Sequence, residues 1–186
     1  MPCRLILVRH ASALPSKDQP EADWPLSDEG RRQAEMLAAE LVSHGIDALW
    51  SSPYPRALAT IEPFARAHGL SIGIDHDLRE RLFSSVWIDD FETPLRQSFE
   101  DEHFALPGGE SGFQCRSRFM AALSRIAAQH KDQTVAIASH GNAIALTLSA
   151  LDASVGFDFW KSIRKPDLFL LEWDGGFSWP ERGRLR

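Results

Sequence analysis

At 186 residues, 44% hydrophobic and 25% charged, the chain can bury a sizeable core, and no proline- or glycine-rich linker divides it, so residues 1–186 are expected to form one domain. A net charge of −6 argues against a nucleic-acid surface, which shows a basic excess or stripe, and any anion must be held by a local cluster. The first apolar stretch ends after Val8, too short for a membrane span or a signal peptide, so the expectation is a cytoplasmic protein with no membrane partner. Cys3 and Cys115 are expected to be inert thiols of a reducing compartment.

In chain order, Leu5 to Val8 read as a strand covered on both faces that ends at Arg9 and His10. "SDEGRRQAEMLAAELVSHG" predicts a helix capped by Ser27, with Asp28 and Glu29 in its first turn, an apolar face at Ala34, Leu37, Ala38 and Leu41, and Gly45 beyond its end. "IDALWSS" supplies a second strand, and "YPRALATIEPFARAHG" a helix that Pro63 is expected to kink or divide. "LSIGID" is a short third strand running into "HDLRER". Residues 82–102 read as a loop plus a short helix near the site. "GGESGFQCRSRFMAALSRIAAQH" predicts a long helix with apolar positions at Phe113, Phe119, Met120, Leu123 and Ile126. "TVAIASH" is another buried strand ending in histidine, "GNAIALTLSAL" starts the next helix, and "DLFLLEWDGG" is a closing strand suited to an antiparallel place at the sheet edge. Helical crossovers of these lengths imply an α/β fold, a three-layer α/β/α sandwich around a mostly parallel sheet.

The two strands "LILVRH" and "TVAIASH" both finish in histidine, and parallel strands bring such ends to one edge, where ligands bind. The second strand leads to Arg56 in the first turn of a helix, so His10, His140, Arg9 and Arg56 can converge there. In an acidic chain this cluster suits a dianionic group, because guanidinium offers paired donors to phosphate oxygens and the helix starting at Gly141 can add backbone N–H groups. Taken singly, His10 could be an ordinary loop histidine and Arg56 a surface arginine; one geometry accounts for all four. Zinc fits poorly beside two arginines and without a third short-range ligand, so no metal and no cofactor is expected.

These residues resemble the histidine phosphatase superfamily, the phosphoglycerate-mutase-like fold, through "VRHA", "PLSDEGRRQA", "SSPYPRALAT", "LRER", "PGGES" and "IASHG", in order along nearly the whole chain. The resemblance implies a phosphoryl enzyme with a covalent phosphohistidine intermediate, in which His10 is the nucleophile, Arg9, Arg56 and His140 form the phosphate pocket, and Glu80 of "LRER" is the proton donor. Chemistry agrees with these residue types. Neutral imidazole has a lone pair for phosphorus, the two arginines and a cationic His140 would balance charge on the equatorial oxygens, and a carboxylic acid can protonate a departing alkoxide. Asp77 and Glu110 are weaker candidates for the acid, and Glu80 could instead be an ion pair with Arg79 or Arg81.

Two departures stand out against that family. The glycine usual after the catalytic histidine is Ala11, and the serine and asparagine of the mutase-like members are Ala13 and Ser16, leaving Ser16 as a substrate-binding candidate with Gly141. The segment between Glu80 and Pro107 is short beside that of the glycolytic mutases, and an open pocket admits water, which favours hydrolysis over transfer. The expected function is hydrolysis of a small phosphorylated substrate. A phosphohistidine-protein phosphatase, a phosphoglycerate-type mutase and a phosphate-binding domain without turnover are the alternatives, and a homodimer is left open. Phe83, Trp87, Phe91 and Phe99 could wall the site or belong to the core, and Asp89, Asp90 and Glu92 would discourage a second anionic group if they face inward.

Overall fold

The computed structural model describes residues 1–180 and 182–185. Its sheet has the strands β1 (Cys3–Arg9), β2 (Ala48–Ser51), β3 (Ile72–Ile74), β4 (Thr134–Ser139), β5 (Asp167–Trp173) and β6 (Phe177–Ser178), in the spatial order β3-β2-β4-β1-β5-β6. The first four in that order run parallel, β5 runs antiparallel to β1, and β6 turns back antiparallel to β5. β5 is therefore antiparallel as expected but does not close the sheet, because the two-residue β6 pairs beyond it. Too short to show alternation, β6 leaves no mark on the sequence.

Side chains along β1 alternate between two cores, as a strand covered on both faces requires. Leu5 and Leu7 pack with the helices α4 (Gly112–Gln129) and α5 (Gly141–Ser149), through Phe119, Leu123 and Ile126 of the first and Ile144 and Leu148 of the second. Ile6 and Val8 face α1 (Asp28–Leu41) and α2 (Pro55–His68), through Leu37, Leu41, Ile61 and Phe64. The result is the expected three-layer α/β/α sandwich. The shorter α3 (Glu92–Glu100) and α6 (Phe157–Ser162) complete the set; α6, with six residues, carries too little periodicity to be read in advance. No helix among the described residues is long and apolar enough to cross a membrane.

Three local outcomes bear on the sequence reading. α2 runs undivided through Pro63, because Ile61, Phe64 and Ala65 on either side of the proline are all buried against the sheet and that packing outweighs one missing backbone donor. On α4 the apolar stripe is Cys115, Phe119, Ala122, Leu123 and Ile126, whereas Phe113 lies off it and is 43% exposed beside His103 and Arg116. Cys3 and Cys115 are buried free thiols, both pushed up by burial, Cys3 to about 11.

The register places the functional edge. Arg9 lies opposite Ser139, and the His10 amide donates to the Ser139 carbonyl at 2.9 Å, so both histidines leave neighbouring strands at the same level. Ser51 pairs with Ala138, which sets Ser52 beside His140. α1 then pins the chain that follows His10. Its cap Ser27 accepts from the Gly30 amide at 3.0 Å and donates to the Ser12 carbonyl at 3.1 Å. A Cβ on Gly30 would stand 2.0 Å from that same carbonyl oxygen, so the close approach of helix and loop depends on glycine there.

Candidate active site

The predicted cluster forms. His10 and His140 have ring centroids 5.2 Å apart, and the Arg56 Nε–H donates to His10 Nε2 at 3.3 Å. His10 Nδ1 sits 2.6 Å from the Ala11 carbonyl, which can only accept, so Nδ1 carries the proton and Nε2 keeps its lone pair. His10 is held well below the ordinary imidazole value, first by burial and then by Arg56, Arg9 and Lys165, although the Ala11 carbonyl acts in the other direction. A neutral imidazole with its lone pair under a guanidinium is the outcome. Ala11 fits without strain: among the described residues the non-glycine positions with positive φ are Asp132 and Arg182. The Ala11 amide is tied to Thr60 Oγ1 at 2.9 Å.

His140 corrects one expectation. Fully buried, with Arg56, His10, Arg118 and Arg9 around it, the ring is held well below the ordinary value and is neutral rather than cationic. Composition cannot reveal this, since it follows from how many positive groups the fold packs around one imidazole. Nε2 meets the Ser52 hydroxyl at 2.8 Å, and Nδ1 is buried with no hydrogen-bond partner among the described residues. Such an orphaned group fits a ligand oxygen.

The fold also assigns Gly141 a use. A Cβ there would lie 2.8 Å from the Arg9 guanidinium carbon, so glycine makes room for Arg9 at the start of α5. Arg9 Nη1 donates to the Ile163 carbonyl, while its buried Nε is without a partner among the described residues. The backbone donors expected for a bound anion are otherwise engaged: the Asn142 and Ala143 amides donate to the Glu80 carboxylate at 3.2 and 3.0 Å. Glu80 thereby sits on the first turn of α5, directly after His140, and its Oε1 also accepts from the Arg81 amide at 2.8 Å. An anionic side chain at a helix N-terminus is favourable.

Other candidates do not reach the cluster. Glu110 is held by Arg118, with both contacts at 2.7 Å, and Asp77 pairs with Arg79 and Arg125 on the surface side. The Ser16 hydroxyl accepts from the Asp18 amide at 3.1 Å in a local turn, and no contact joins it to His10 or Arg56. Ion pairs of Glu80 with Arg79 or Arg81 are absent among the described residues; Arg79 instead pairs with Asp77 and Glu110.

Several participants escaped the sequence reading. Glu21, in a three-residue 3-10 turn, places Oε1 2.8 Å from Arg56 Nη2, and its backbone carbonyl accepts from Nη1. Its carboxyl is pushed up to about 7, chiefly by the loss of solvent around it and by Glu80, against the pull of Arg56, although 42% of the side-chain surface stays exposed. Tyr54 lies between Arg56, 4.9 Å from its ring, and His140, at a centroid distance of 5.0 Å. Arg118 donates to the carbonyls of Asp77, Arg79 and Glu80 at 2.6, 2.9 and 3.0 Å, so it shapes the segment that presents Glu80. Lys165 is lowered by burial, then by Arg9 and Arg56, which puts another cation at this edge. Antiparallel β5 explains its place: Asp167 pairs in register with Arg9, so the residues just before it return to the carboxyl end of β1.

These shifts have a signed consequence for stability. His10 and His140 are lowered below 6.5 in the fold, so the stability they contribute is complete above that value and is lost as pH falls toward their folded values, because the unfolded chain takes up protons that the fold refuses. Glu21 is raised from 4.5 to about 7 and acts oppositely, since its contribution is complete below 4.5 and lost as pH rises through 7. The urea midpoint is expected to fall between pH 7 and 5, and to fall more steeply in Glu21→Gln, where the opposing group is gone. A midpoint flat over that range in both proteins would contradict the neutral assignment of the two histidines.

A mostly parallel α/β/α sandwich with two neutral histidines beside the buried Arg56 and the half-buried Arg9 at the carboxyl edge of its central strands defines an anion-handling α/β fold. The family model of the histidine phosphatase superfamily, branch 1, matches residues 5–177, and the chain belongs to that superfamily. It is 31% identical over 148 residues to phosphoserine phosphatase 1 of Hydrogenobacter thermophilus, covering 74% of this chain and 70% of that protein. It is 32% identical over 167 residues to a bifunctional protein of Mycobacterium tuberculosis, covering 83% of this chain and 46% of that protein, so it spans about half of that relative's length. The fold is similar to that of a mycobacterial glucosyl-3-phosphoglycerate phosphatase, with a TM-score of 0.75, 24% identity, and coverage of 92% of this chain and 91% of the other. Membership of this family places the chain among histidine-phosphatase-type hydrolases acting on small phosphoesters. Among the described residues no group of three or more His, Cys, Asp or Glu side chains is placed to hold a metal ion.

Proposed function

We propose that the protein hydrolyses small phosphomonoesters through a phosphohistidine on His10. The observation that carries this reading is the neutral His10 ring, whose Nδ1–H is fixed by the Ala11 carbonyl while Nε2 lies beside the Arg56 donor. A phosphoryl dianion seats between Arg9, Arg56 and His140, and one of its oxygens takes over the Arg56 Nε–H, which frees the Nε2 lone pair. The unpartnered Arg9 Nε and His140 Nδ1 supply further donors, worth most where water is excluded. Nε2 attacks phosphorus as the ester P–O bond breaks, and protonated Glu80 gives its proton to the departing oxygen. Water then attacks the phosphohistidine, Glu80 as carboxylate takes its proton, and the N–P bond breaks to release inorganic phosphate.

Turnover tests this reading. Purified protein incubated at pH 5.5 to 7.5 with p-nitrophenyl phosphate, ethyl phosphate and phosphoserine is expected to release inorganic phosphate catalytically. Binding of the same esters with no release would make the chain a phosphate-binding domain.

A further inference from the structure

A cleft of about 660 Å³ opens beside Arg56, within the size range that holds a small organic ligand. Two residues of its wall touch the phosphate cluster. Glu21 pairs with Arg56, and the Trp24 ring lies 5.9 Å from the Arg56 guanidinium carbon. The far side comes from the segment after Glu80, where Phe83, Trp87 and Phe91 line the space. Of the four aromatics read as either wall or core, Trp87 and Phe91 are exposed to the cleft, Phe83 is buried with Leu95 and Phe157 and reaches only its edge, and Phe99 packs into the core.

Charge separates what this cleft can take from what it cannot. Its wall has one cation, Lys17, against Asp18, Glu21 and Asp89. Lys17 is already committed, lying 3.1 Å from Asp89 and 4.9 Å from the centre of the Trp87 ring. Trp87 Nε1 donates to the same Asp89 oxygen at 2.9 Å, so the wall's one cation stands against a carboxylate that faces it directly, and the three carboxylates of the wall outnumber it. A second anionic group on the substrate would meet Glu21 where the cleft joins the phosphate cluster, with Glu80 reinforcing the negative field there. Lys165, a further cation near the cluster, is not in the cleft wall.

We infer that this cleft receives the alcohol part of the phosphomonoester and selects an uncharged aromatic or bulky apolar alcohol over one bearing a second anion, with Glu21 as the residue that excludes the anion. The inference rests on the phosphatase reading and deepens it. Aromatic faces reward a flat apolar group, and a substrate carboxylate brought against the Glu21 carboxylate is disfavoured by like charge.

Two esters of unactivated primary alcohols test it without differing much in leaving group: 3-phenylpropyl phosphate and the phosphate ester of 3-hydroxypropanoate. At pH 8, where Glu21 is ionised, kcat/KM is expected to favour the phenylpropyl ester by at least about tenfold. Glu21→Gln keeps an acceptor for Arg56 and removes the charge, so the ratio should narrow by about tenfold through a gain on the carboxylate ester. Trp87→Ala, at a half-exposed position, should lower kcat/KM for the phenylpropyl ester by roughly tenfold more than for ethyl phosphate. Equal use of the two esters, or preference for the carboxylate ester, would overturn the inference and assign the second anion to Lys165. If p-nitrophenyl phosphate is not turned over at all, the phosphatase reading fails, and calorimetric Kd values for the same esters then decide the cleft: tighter binding of the phenylpropyl ester supports it, equal or weaker binding overturns it.

Discussion

His10→Ala is expected to lower turnover by roughly 10⁴- to 10⁶-fold, the scale seen when a covalent nucleophile is removed. The fold should survive, because the ring is neutral and its contacts are a bond to its neighbour's carbonyl and a bond from Arg56. Phosphate binding should survive too, since Arg9, Arg56 and His140 come from other positions. In the wild type, incubation with an activated aryl phosphate and a quench in base should trap an acid-labile phosphoryl group, and peptide mapping should place it on His10. His140 is the alternative imidazole, but its Nε2 is engaged by Ser52 and the ring is fully buried. His140→Ala should therefore weaken turnover by the roughly 10²- to 10³-fold typical of a lost transition-state donor and still form the phosphoenzyme. Robust turnover by His10→Ala would end the phosphohistidine mechanism.

The parts of this site that could be read in advance share one cause. A strand buried on both faces announces itself as a short apolar run, and a polar residue at its end must stand on the sheet edge; His10 and His140 met that condition on two strands that proved to be neighbours. Arg56 was legible because proline and an apolar helix fixed its place in a first turn. Glu21 and Trp24 were not, since a three-residue turn between prolines carries no periodicity and its position against Arg56 is set by tertiary packing. Lys165 depended on knowing that β5 returns antiparallel. The charge of His140 was misjudged for a related reason, because desolvation belongs to the assembled core and not to any local stretch. The place of Glu80 after the third strand is legible in the sequence, but its hydrogen bonds are not: the amides expected to bind phosphate hold its carboxylate. That arrangement changes what a substitution at Glu80 does.

Glu80→Gln is expected to slow phosphoryl transfer from an alkyl phosphate by roughly 10²- to 10⁴-fold, the usual worth of general acid catalysis, and from p-nitrophenyl phosphate far less, because that oxide departs without a proton. The substitution is not structurally silent. Oε1 accepts from the Arg81 and Ala143 amides and Oε2 from Asn142; glutamine can serve the first pair with its oxygen but must turn an NH₂ toward the Asn142 N–H. A disturbed first turn of α5 would shift His140 and Arg9 and slow both substrates alike. The leaving-group dependence is therefore the informative quantity, and it should be read from phosphoenzyme formation in a rapid-quench experiment, so that hydrolysis of the intermediate does not mask it. A large loss confined to the alkyl ester identifies Glu80 as the proton donor. An equal loss on both would reduce it to a positioning residue for α5, and the proton would have to come from another carboxyl at the cluster. Glu110 and Asp77 are committed to arginines elsewhere, which leaves Glu21: it lies against Arg56, and loss of solvent together with Glu80 pushes its carboxyl up to about 7, so part of the population carries a proton close to neutrality. The same leaving-group comparison on Glu21→Gln would then show the dependence that Glu80→Gln had failed to show.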